Sequence, residues 1–387
     1  MIELARRFGA DPAFVRAGGG NSSAKVDRVL YIKPSGVPLA ELTEDALIAL
    51  AIEPLLGLLD RGSTSGPLPG SDEVLRVAES ARLSPADRRR PSVELLFHAL
   101  LPEPIVLHTH PTAINALTCC RGERALADRI VGDEALWVPY TDPGLPLARA
   151  IRAERSAHQE RTGGPAPRAI LLQNHGLIVS GESASEIDAL SREIGAQIAD
   201  HAPDGPAVAG QGGAVGRPDG ALAGAIGEAI VAVLRSRSSD ADPVRVVVHD
   251  DSSLALDAAG SDLGRQVALD GPLTPDQIVY AGSWPLIIDP TPTAASAATA
   301  VRDAMAARTN AGVEAPIIVL VAGVGLFAAG ATAAQAGTAR DVYLDAMRIA
   351  VGAHRLGGIR PLAPAERLFI ERWEAEAYRR QVASTAG

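Results

Sequence analysis

The chain has 387 residues, 47% of them hydrophobic and 21% charged, which is enough for about two or three ordinary domains with real cores. Its formal net charge of −10 excludes broad nucleic-acid binding, which wants a basic surface, and leaves open small anionic substrates, which respond to local charge. The only cysteines, the adjacent Cys119 and Cys120, make neither a disulfide framework nor a zinc knuckle and read as paired buried thiols.

In chain order, the N-terminal MIELARRFGADP lacks the apolar region of a signal peptide. RAGGGNSSAKVD (16–27) packs glycines, an asparagine and serines between basic residues. Bare N–H groups and hydroxyls there can converge on a phosphate or a carboxylate, and the same stretch also serves as a plain turn. RVLYIK (28–33) is a short β-rich run closed by the turn signal PSG. Residues 41–60 carry apolar positions at helical spacing, and RGSTSGPLPGSDE (61–73) reads as a loop. PSVELLFHALL (91–101) predicts a helix opened by Pro91 and Ser92 with Glu94 in its first turn. IVLHTH (105–110) predicts a strand, PTAINALTCC a helix and AILLQ (169–173) another strand, from which NHGLIVSG turns into the next. SASEIDALSREIGAQIADH is an amphipathic helix with Ile187, Leu190, Ile194 and Ile198 on one face. From about 202 to 225, Gly, Pro and Ala dominate, as in a linker running into a helix near 221–235. VRVVVH (244–249), QIVYAG (277–282) and PLIID (285–289) come next, then the helical TAASAATAVRDAMAAR and the strand IIVLV. The uncharged span 315–336 reads as strand, turn and helix start rather than a membrane helix, because Gly-x-Gly interrupts it. A cytoplasmic protein with no membrane or nucleic-acid partner is expected. The charged, Trp-containing ERLFIERWEAEAYRRQ near the C-terminus predicts a helix.

An internal repeat runs through this order. Setting AILLQNHGLIVSG (169–181) against IVLVAGVGLFAAG (318–330) matches Leu171 with Leu320, Gly176 with Gly325, Leu177 with Leu326 and Gly181 with Gly330. PEPIVLHTHP (102–111) is then set against PDQIVYAGSW (275–284). That alignment puts His175 on Val324, His108 on Ala281 and His110 on Ser283, so the second half is expected to keep the fold and lose the chemistry.

His108 and His110 lie two apart on a predicted strand, so both face one way and form a bidentate platform for a divalent metal. His175 follows another strand in an Asn-His-Gly turn, and Glu94 lies on the helix leading into the His108 strand. Three imidazoles and a carboxylate suit Zn²⁺, with Mn²⁺ or Co²⁺ as replacements. Taken alone, a His-x-His pair is as readily two ordinary strand residues.

AGGGNSSAK, LYIKPSG, PSVELLFH, VLHTHP and LLQNHGL occur in the order and approximate spacing of the class II aldolase/adducin family, which residues 1–200 resemble. The whole chain most resembles the aldolase portion of the rhamnulose-phosphate aldolase/alcohol dehydrogenase fusions. The resemblance implies an α/β fold of three α/β/α layers around a central, largely antiparallel sheet, followed by a degenerate second copy. The implied domains are 1–201 with the metal site, a linker over 202–220, and an aldolase-like domain lacking metal ligands over 221–387. The family's metal histidines match His108, His110 and His175, and its acid/base carboxylate, also a metal ligand at rest, matches Glu94. Its substrate-phosphate groups match Gly20, Asn21, Ser35, Gly36 and Ser92. Val93 departs from a second serine there, and Lys33 or Lys25 is the alternative source of positive charge.

The implied function is a metal-dependent lyase. It cleaves a short ketose, a ketose 1-phosphate first of all, into a dihydroxyacetone-type fragment and an aldehyde through a metal-stabilised enediolate. Alternatives within the family are a sugar-acid decarboxylase and a sugar-phosphate 4-epimerase, and outside catalysis an adducin-like interaction module. Tyr140 in VPYTDPG is an extra candidate proton donor. GVG at 323–325 lacks the full dinucleotide-binding spacing. The family's shared-subunit sites imply a homo-oligomer, either a tetramer or a dimer in which the second halves complete a pseudo-fourfold ring.

Overall fold

A computed structural model describes residues 1–61, 70–202, 220–235, 246–289 and 293–373. The chain divides into two compact units, Met1–Pro203 with Leu356–Gly358 and Asp204–Arg355 with Ile359–Gly387. Most of the expected linker, the tip of the 61–73 loop and the end of the C-terminal helix lie outside the described residues.

In the first unit, α1 (Ile2–Ala10) precedes the strands β1 (Asn21–Val26), β2 (Val29–Ile32) and β3 (Ile48–Ala51). The helices α2 (Ile52–Asp60), α3 (Ser71–Ser80) and α4 (Leu95–Leu100) lead to β4 (Ile105–Thr109). After it come α5 (Thr112–Thr118), α6 (Glu123–Ile130), β5 (Ala135–Val138), α7 (Leu145–Thr162), β6 (Ala169–Leu172), β7 (Gly176–Gly181) and α8 (Ala184–His201). The strands form one sheet in the order β3-β2-β1-β4-β7-β6-β5, antiparallel throughout except for β5 beside β6. This is the expected mixed α/β architecture around a largely antiparallel sheet.

Alternation along the strands sorts the side chains to two faces. Ile32, Leu50, Val106, Ile170 and Ile178 join Leu55, Leu96 and Ile151 of α2, α4 and α7 in the main core. Burying each such side chain contributes about 1.5–3 kcal/mol relative to exposure. Leu107, Leu177 and Val179 point the other way and are buried too, on the side where α5 and α8 pack against β7. Ser183 caps α8 by accepting from the Glu186 amide (3.3 Å).

Two local expectations are corrected. Residues 41–60 are not one helix. Ile48 and Leu50 are buried while Ala49 and Ala51 are half-buried, a period of two that makes β3, and the helix starts only at Ile52. The 91–101 helix is also shorter. Pro91 forms a β-bridge with Pro34, which keeps the chain extended there, and Glu94 becomes the residue capping α4.

The second unit contains α9 (Gly220–Arg235), β8 (Val246–Asp250), α10 (Ser253–Gly260), α11 (Asp262–Asp270) and β9 (Leu286–Ile288). It continues through α12 (Ala294–Asn310), β10 (Ile318–Val321), β11 (Gly325–Gly330), α13 (Ala333–Arg355) and α14 (Pro364–Arg372). Span 315–336 is strand, turn, strand and helix start, and no described helix is long and apolar enough to cross a membrane. The sheet order is β8-β11-β10-β9, with β9 and β10 parallel and the other pairs antiparallel. This repeats the order and directions of β4-β7-β6-β5.

The repeat is therefore real, and its expected register is corrected in one half. With Gly325–Gly330 in the place of Gly176–Gly181, the pairing of β8 on β11 matches that of β4 on β7. His249 then stands where His108 does, Asp251 where His110 does and Val324 where His175 does. QIVYAG is no strand. Thr274 Oγ1 accepts from the Gln277 amide and Gln277 Oε1 from the Leu273 amide, and these bonds wind Gln277–Ala281 into a wide helical turn.

Candidate metal centre

β4 carries His108 on the core side of the sheet, its ring edge-on to Phe97 of α4 (5.6 Å, 83°). His110 lies just past the strand end, where its amide donates to the Phe14 carbonyl (3.0 Å). Phe14 meets Phe8 of α1 edge-on (4.6 Å), and the Arg192 guanidinium of α8 lies over both rings, at 5.4 and 5.3 Å.

His175 sits in the tight β6–β7 turn, preceded by Asn174 in a left-handed conformation (φ 55°). That turn is held from several sides. Asn115 Nδ2 donates to the His175 carbonyl (3.3 Å), while Thr118 donates its hydroxyl to Asn115 Oδ1 (3.0 Å). Gln173 Oε1 accepts from the Tyr140 amide (2.9 Å). Gly176 has no substitute here, because a Cβ would lie 2.4 Å from the Thr109 carbonyl oxygen and 2.9 Å from the His110 ring.

These elements bring the ligating atoms of His108, His110 and His175 within 4.8 Å of one another, all three side chains buried. His108 Nδ1 faces the Leu177 carbonyl at 2.9 Å. A carbonyl only accepts, so Nδ1 carries the proton and Nε2 presents a lone pair to the centre. That lone pair faces His110 Nε2 at 3.0 Å, His175 Nε2 at 3.4 Å and Glu94 Oε1 at 3.3 Å; Glu94 Oε1 is 3.4 Å from His175 Nε2. Three imidazoles and a carboxylate converging in this way are a donor set for a tetrahedral divalent ion. The residues fit the metal.

The other expected site residues gather around the same end of the sheet. Gly20 (φ +75°) lies so close to β4 that a Cβ would be 2.8 Å from the His108 carbonyl oxygen. Asn21 pairs with His108 across β1 and β4, and its Nδ2 donates to Ser92 Oγ. Ser92 Oγ in turn accepts from the Glu94 amide (3.2 Å), so Asn21 and Ser92 hold the backbone of Glu94. The Ser35 amide donates to the Arg90 carbonyl (2.9 Å), and the Pro34–Pro91 bridge sets the Ser35–Gly36 turn beside Ser92. The buried Lys33 ammonium donates to the carbonyls of Val37 (2.7 Å) and Pro34 (3.3 Å), bracing that turn from within.

Lys25 donates to the His98 carbonyl (2.8 Å), and burial lowers its pKa to about 8 against the opposing charge of Glu103. His98, one turn after Glu94, is fully buried. Its Nδ1 bonds Ser23 Oγ (2.8 Å), and burial pushes its pKa well below the usual range, with Glu94 opposing, so it is neutral. Asn115, His98 and Arg192 are absent from the residues read off the sequence. The available signals were a lone Asn inside the apolar TAINALT helix and a His one helical turn from Glu94.

The family description "Class II Aldolase and Adducin N-terminal domain" matches residues 1–193, and "Aldolase class II, second domain" matches residues 225–379. The chain is 27% identical over 419 aligned residues to the Bacillus subtilis (strain 168) protein named uncharacterized oxidoreductase YuxG. The match covers 98% of this chain and 57% of that protein, so the chain spans little more than half the length of this curated relative. Among solved structures it is similar to the N-terminal class II aldolase domain of a conserved Thermoplasma acidophilum protein. That match has a TM-score of 0.43 and 24% identity, over 51% of this chain and 90% of that one. It is also similar to L-fuculose-1-phosphate aldolase from Thermus thermophilus, with a TM-score of 0.32 and 18% identity over 51% of this chain and 87% of that one.

Proposed function

The chain belongs to the class II aldolase family, and from that premise we propose that it is a metal-dependent lyase cleaving a short ketose 1-phosphate into a dihydroxyacetone phosphate fragment and an aldehyde. The observation that carries this reading is the buried Glu94 carboxylate, 3.3 and 3.4 Å from the Nε2 atoms of His108 and His175. An aldol cleavage needs a proton carrier in that position.

In this reading His108, His110 and His175 hold the ion, with Glu94 beside it. A divalent ion bound there supplies a Lewis acid that takes up negative charge as the carbon–carbon bond breaks. The hydroxyl on the departing carbon loses its proton to water as it becomes the aldehyde, and Glu94, protonated from water, returns a proton to the carbon left behind and in the synthetic direction removes it. The Asn21–Ser92 pair holds the backbone from which that carboxylate springs, through the bond from the Glu94 amide to Ser92 Oγ. The substrate phosphate is assigned to Gly20, Asn21, Ser35, Gly36 and Ser92, with Lys33 fixing the shape of the Ser35–Gly36 turn. Zinc is the preferred ion, since imidazoles outnumber carboxylates in the donor set.

The test is a product assay on zinc-loaded protein with ketose 1-phosphates of five and six carbons. Release of an aldehyde and dihydroxyacetone phosphate supports the reading. An epimerised sugar phosphate, or carbon dioxide from a sugar acid, with no aldehyde, would replace it with the corresponding family chemistry.

A further inference from the structure

α4 has six residues, too few for a helix to hold its own shape in water, and Glu94 stands at its N-terminal end. Leu95, Leu96 and Phe97 press it into the core, but hydrophobic contact is non-directional and leaves the register of the helix along the sheet open. Hydrogen bonds to β1 remove that freedom. Asn21, Ser23 and Lys25 alternate along β1 and so share one of its faces. Asn21 Nδ2 donates to Ser92 Oγ, ahead of the helix. One turn beyond Glu94, Ser23 Oγ bonds His98 Nδ1 (2.8 Å) and the Lys25 ammonium donates to the His98 carbonyl (2.8 Å). Held at Ser92 alone, the segment could pivot. Held at Ser92 and at His98, it carries Glu94 between two fixed points.

Packing does not account for the histidine. The His98 side chain is fully buried, and its Nε2 finds no hydrogen-bond partner among the described residues. A buried imidazole with one nitrogen unsatisfied costs free energy that an apolar side chain of similar bulk avoids. Onward proton transfer does not account for it either. Nε2 meets no group that would take or give a proton, and burial holds the ring's pKa well below its usual range, so it stays neutral. What remains is Nδ1 and its bond to β1.

We propose that His98, through Ser23, is a positioning residue: it locks α4 to β1 and so keeps the Glu94 carboxylate against the Nε2 atoms of His108 and His175. The link is mechanical, and Lys25 acts on the same residue through its main chain. The effect on turnover rests on the reading of Glu94 as the proton carrier. The placement of the carboxylate does not.

The test compares His98→Asn, His98→Leu and Ser23→Ala in the full chain. An asparagine amide can stand in for Nδ1 and bond the Ser23 hydroxyl whichever partner donates; leucine cannot. Both His98 variants lose the ring's stack on Phe97 (4.6 Å, 24°), so urea midpoints should fall in both, and stability does not separate them. Crystal structures of the chelator-stripped proteins do. Glu94 Oε1 is expected to stay 3.3 Å from His108 Nε2 in His98→Asn and to leave that place in His98→Leu and Ser23→Ala. A misplacement of about 1 Å costs up to about 10²-fold, so kcat should fall about tenfold or more in those two, with KM and zinc content kept, and His98→Asn should restore most of it. If His98→Leu does not fold, Ser23→Ala breaks the same bond from the other side. The proposal is overturned by a carboxylate that keeps its place in His98→Leu or in Ser23→Ala, or that is displaced as far in His98→Asn. Loss of zinc from His98→Leu also overturns it, because the ring would then serve His108 through Phe97. A wild-type chain that cleaves no ketose 1-phosphate strikes the lyase reading alone, and the Glu94 geometry still decides the proposal.

Discussion

At the scale of single residues, Glu94 and Gly176 have separable jobs. Glu94→Gln keeps size and hydrogen bonding but cannot exchange a proton, so the rate should fall about 10²–10⁴-fold. Zinc content should hold, because the three histidines remain. Elemental analysis beside the product assay separates the two effects, and loss of zinc in this variant would make Glu94 chiefly a ligand. Gly176→Ala acts through volume. Its Cβ would press on the Thr109 carbonyl at 2.4 Å and on the His110 ring at 2.9 Å, so the β4 end or the turn must shift. An overpacking penalty of about 1–3 kcal/mol is expected in urea unfolding, together with weaker zinc binding. Lys25 gives a pH signature. Its pKa is lowered from 10.5 to about 8, so between those values the unfolded chain holds a proton that the folded chain has released. Stability contributed by this group therefore rises with pH across that window, by at most about 3 kcal/mol, and burying the cation weakens the fold below it. Lys25→Met should lack that rise. Urea midpoints for both proteins at pH 7.5 and 10.5 check this, and parallel changes in the two would refute it.

At the scale of elements, the candidate site depends on how short segments are pinned. The β6–β7 turn presents His175 because α5 reaches it through Asn115, itself held by Thr118. Asn115→Leu preserves bulk but leaves the His175 carbonyl and the Thr118 hydroxyl without that partner, a loss of about 1–3 kcal/mol. Because the turn then loses its anchor, zinc affinity should fall about tenfold or more, as for other groups that orient metal ligands. A competition titration with a zinc chelator measures this, and affinity unchanged within twofold would show that the backbone alone sets the turn. The same scale explains which elements were legible from sequence. IVLHT, AILL and GLIVSG lie in the buried middle of the sheet, where an apolar run has one reading. At the edge, IALA satisfies helical spacing and strand alternation equally, and only its pairing with β2 decides for β3. The histidines and Glu94 were readable as a set because their residue types carry the chemistry. Asn115 and His98 were not, since their roles come from contacts made across long stretches of sequence and no local pattern marks them.

At the scale of the whole chain, one strand arrangement is used twice with different side chains at corresponding places. The glycine contact shows that the backbone is kept. A Cβ at Gly325 would lie 2.3 Å from the Asp250 carbonyl oxygen, as one at Gly176 would lie 2.4 Å from that of Thr109. Sequence matching found the β10–β11 half of the repeat, because Leu and Gly recur there in fixed register. It mispaired the other half because IVYAG and VVVHD each share two residues with IVLHT, so composition does not choose between them, whereas hydrogen-bond register has a single solution. Metal should therefore act on one copy. A ligand that binds only the folded state stabilises it by RT ln(1 + [L]/Kd), about 2.7 kcal/mol at a hundredfold excess over Kd, and only where it binds. Adding zinc to chelator-stripped protein should slow amide exchange in β4, β6 and β7. It should leave β8, β10 and β11 unchanged, as hydrogen-exchange mass spectrometry can resolve peptide by peptide. Gly325→Ala should loosen β8 and β11 in the same experiment while zinc still protects the first unit. Protection by zinc of β8 and the β10–β11 turn would mean that His249 and Asp251 also take up the metal.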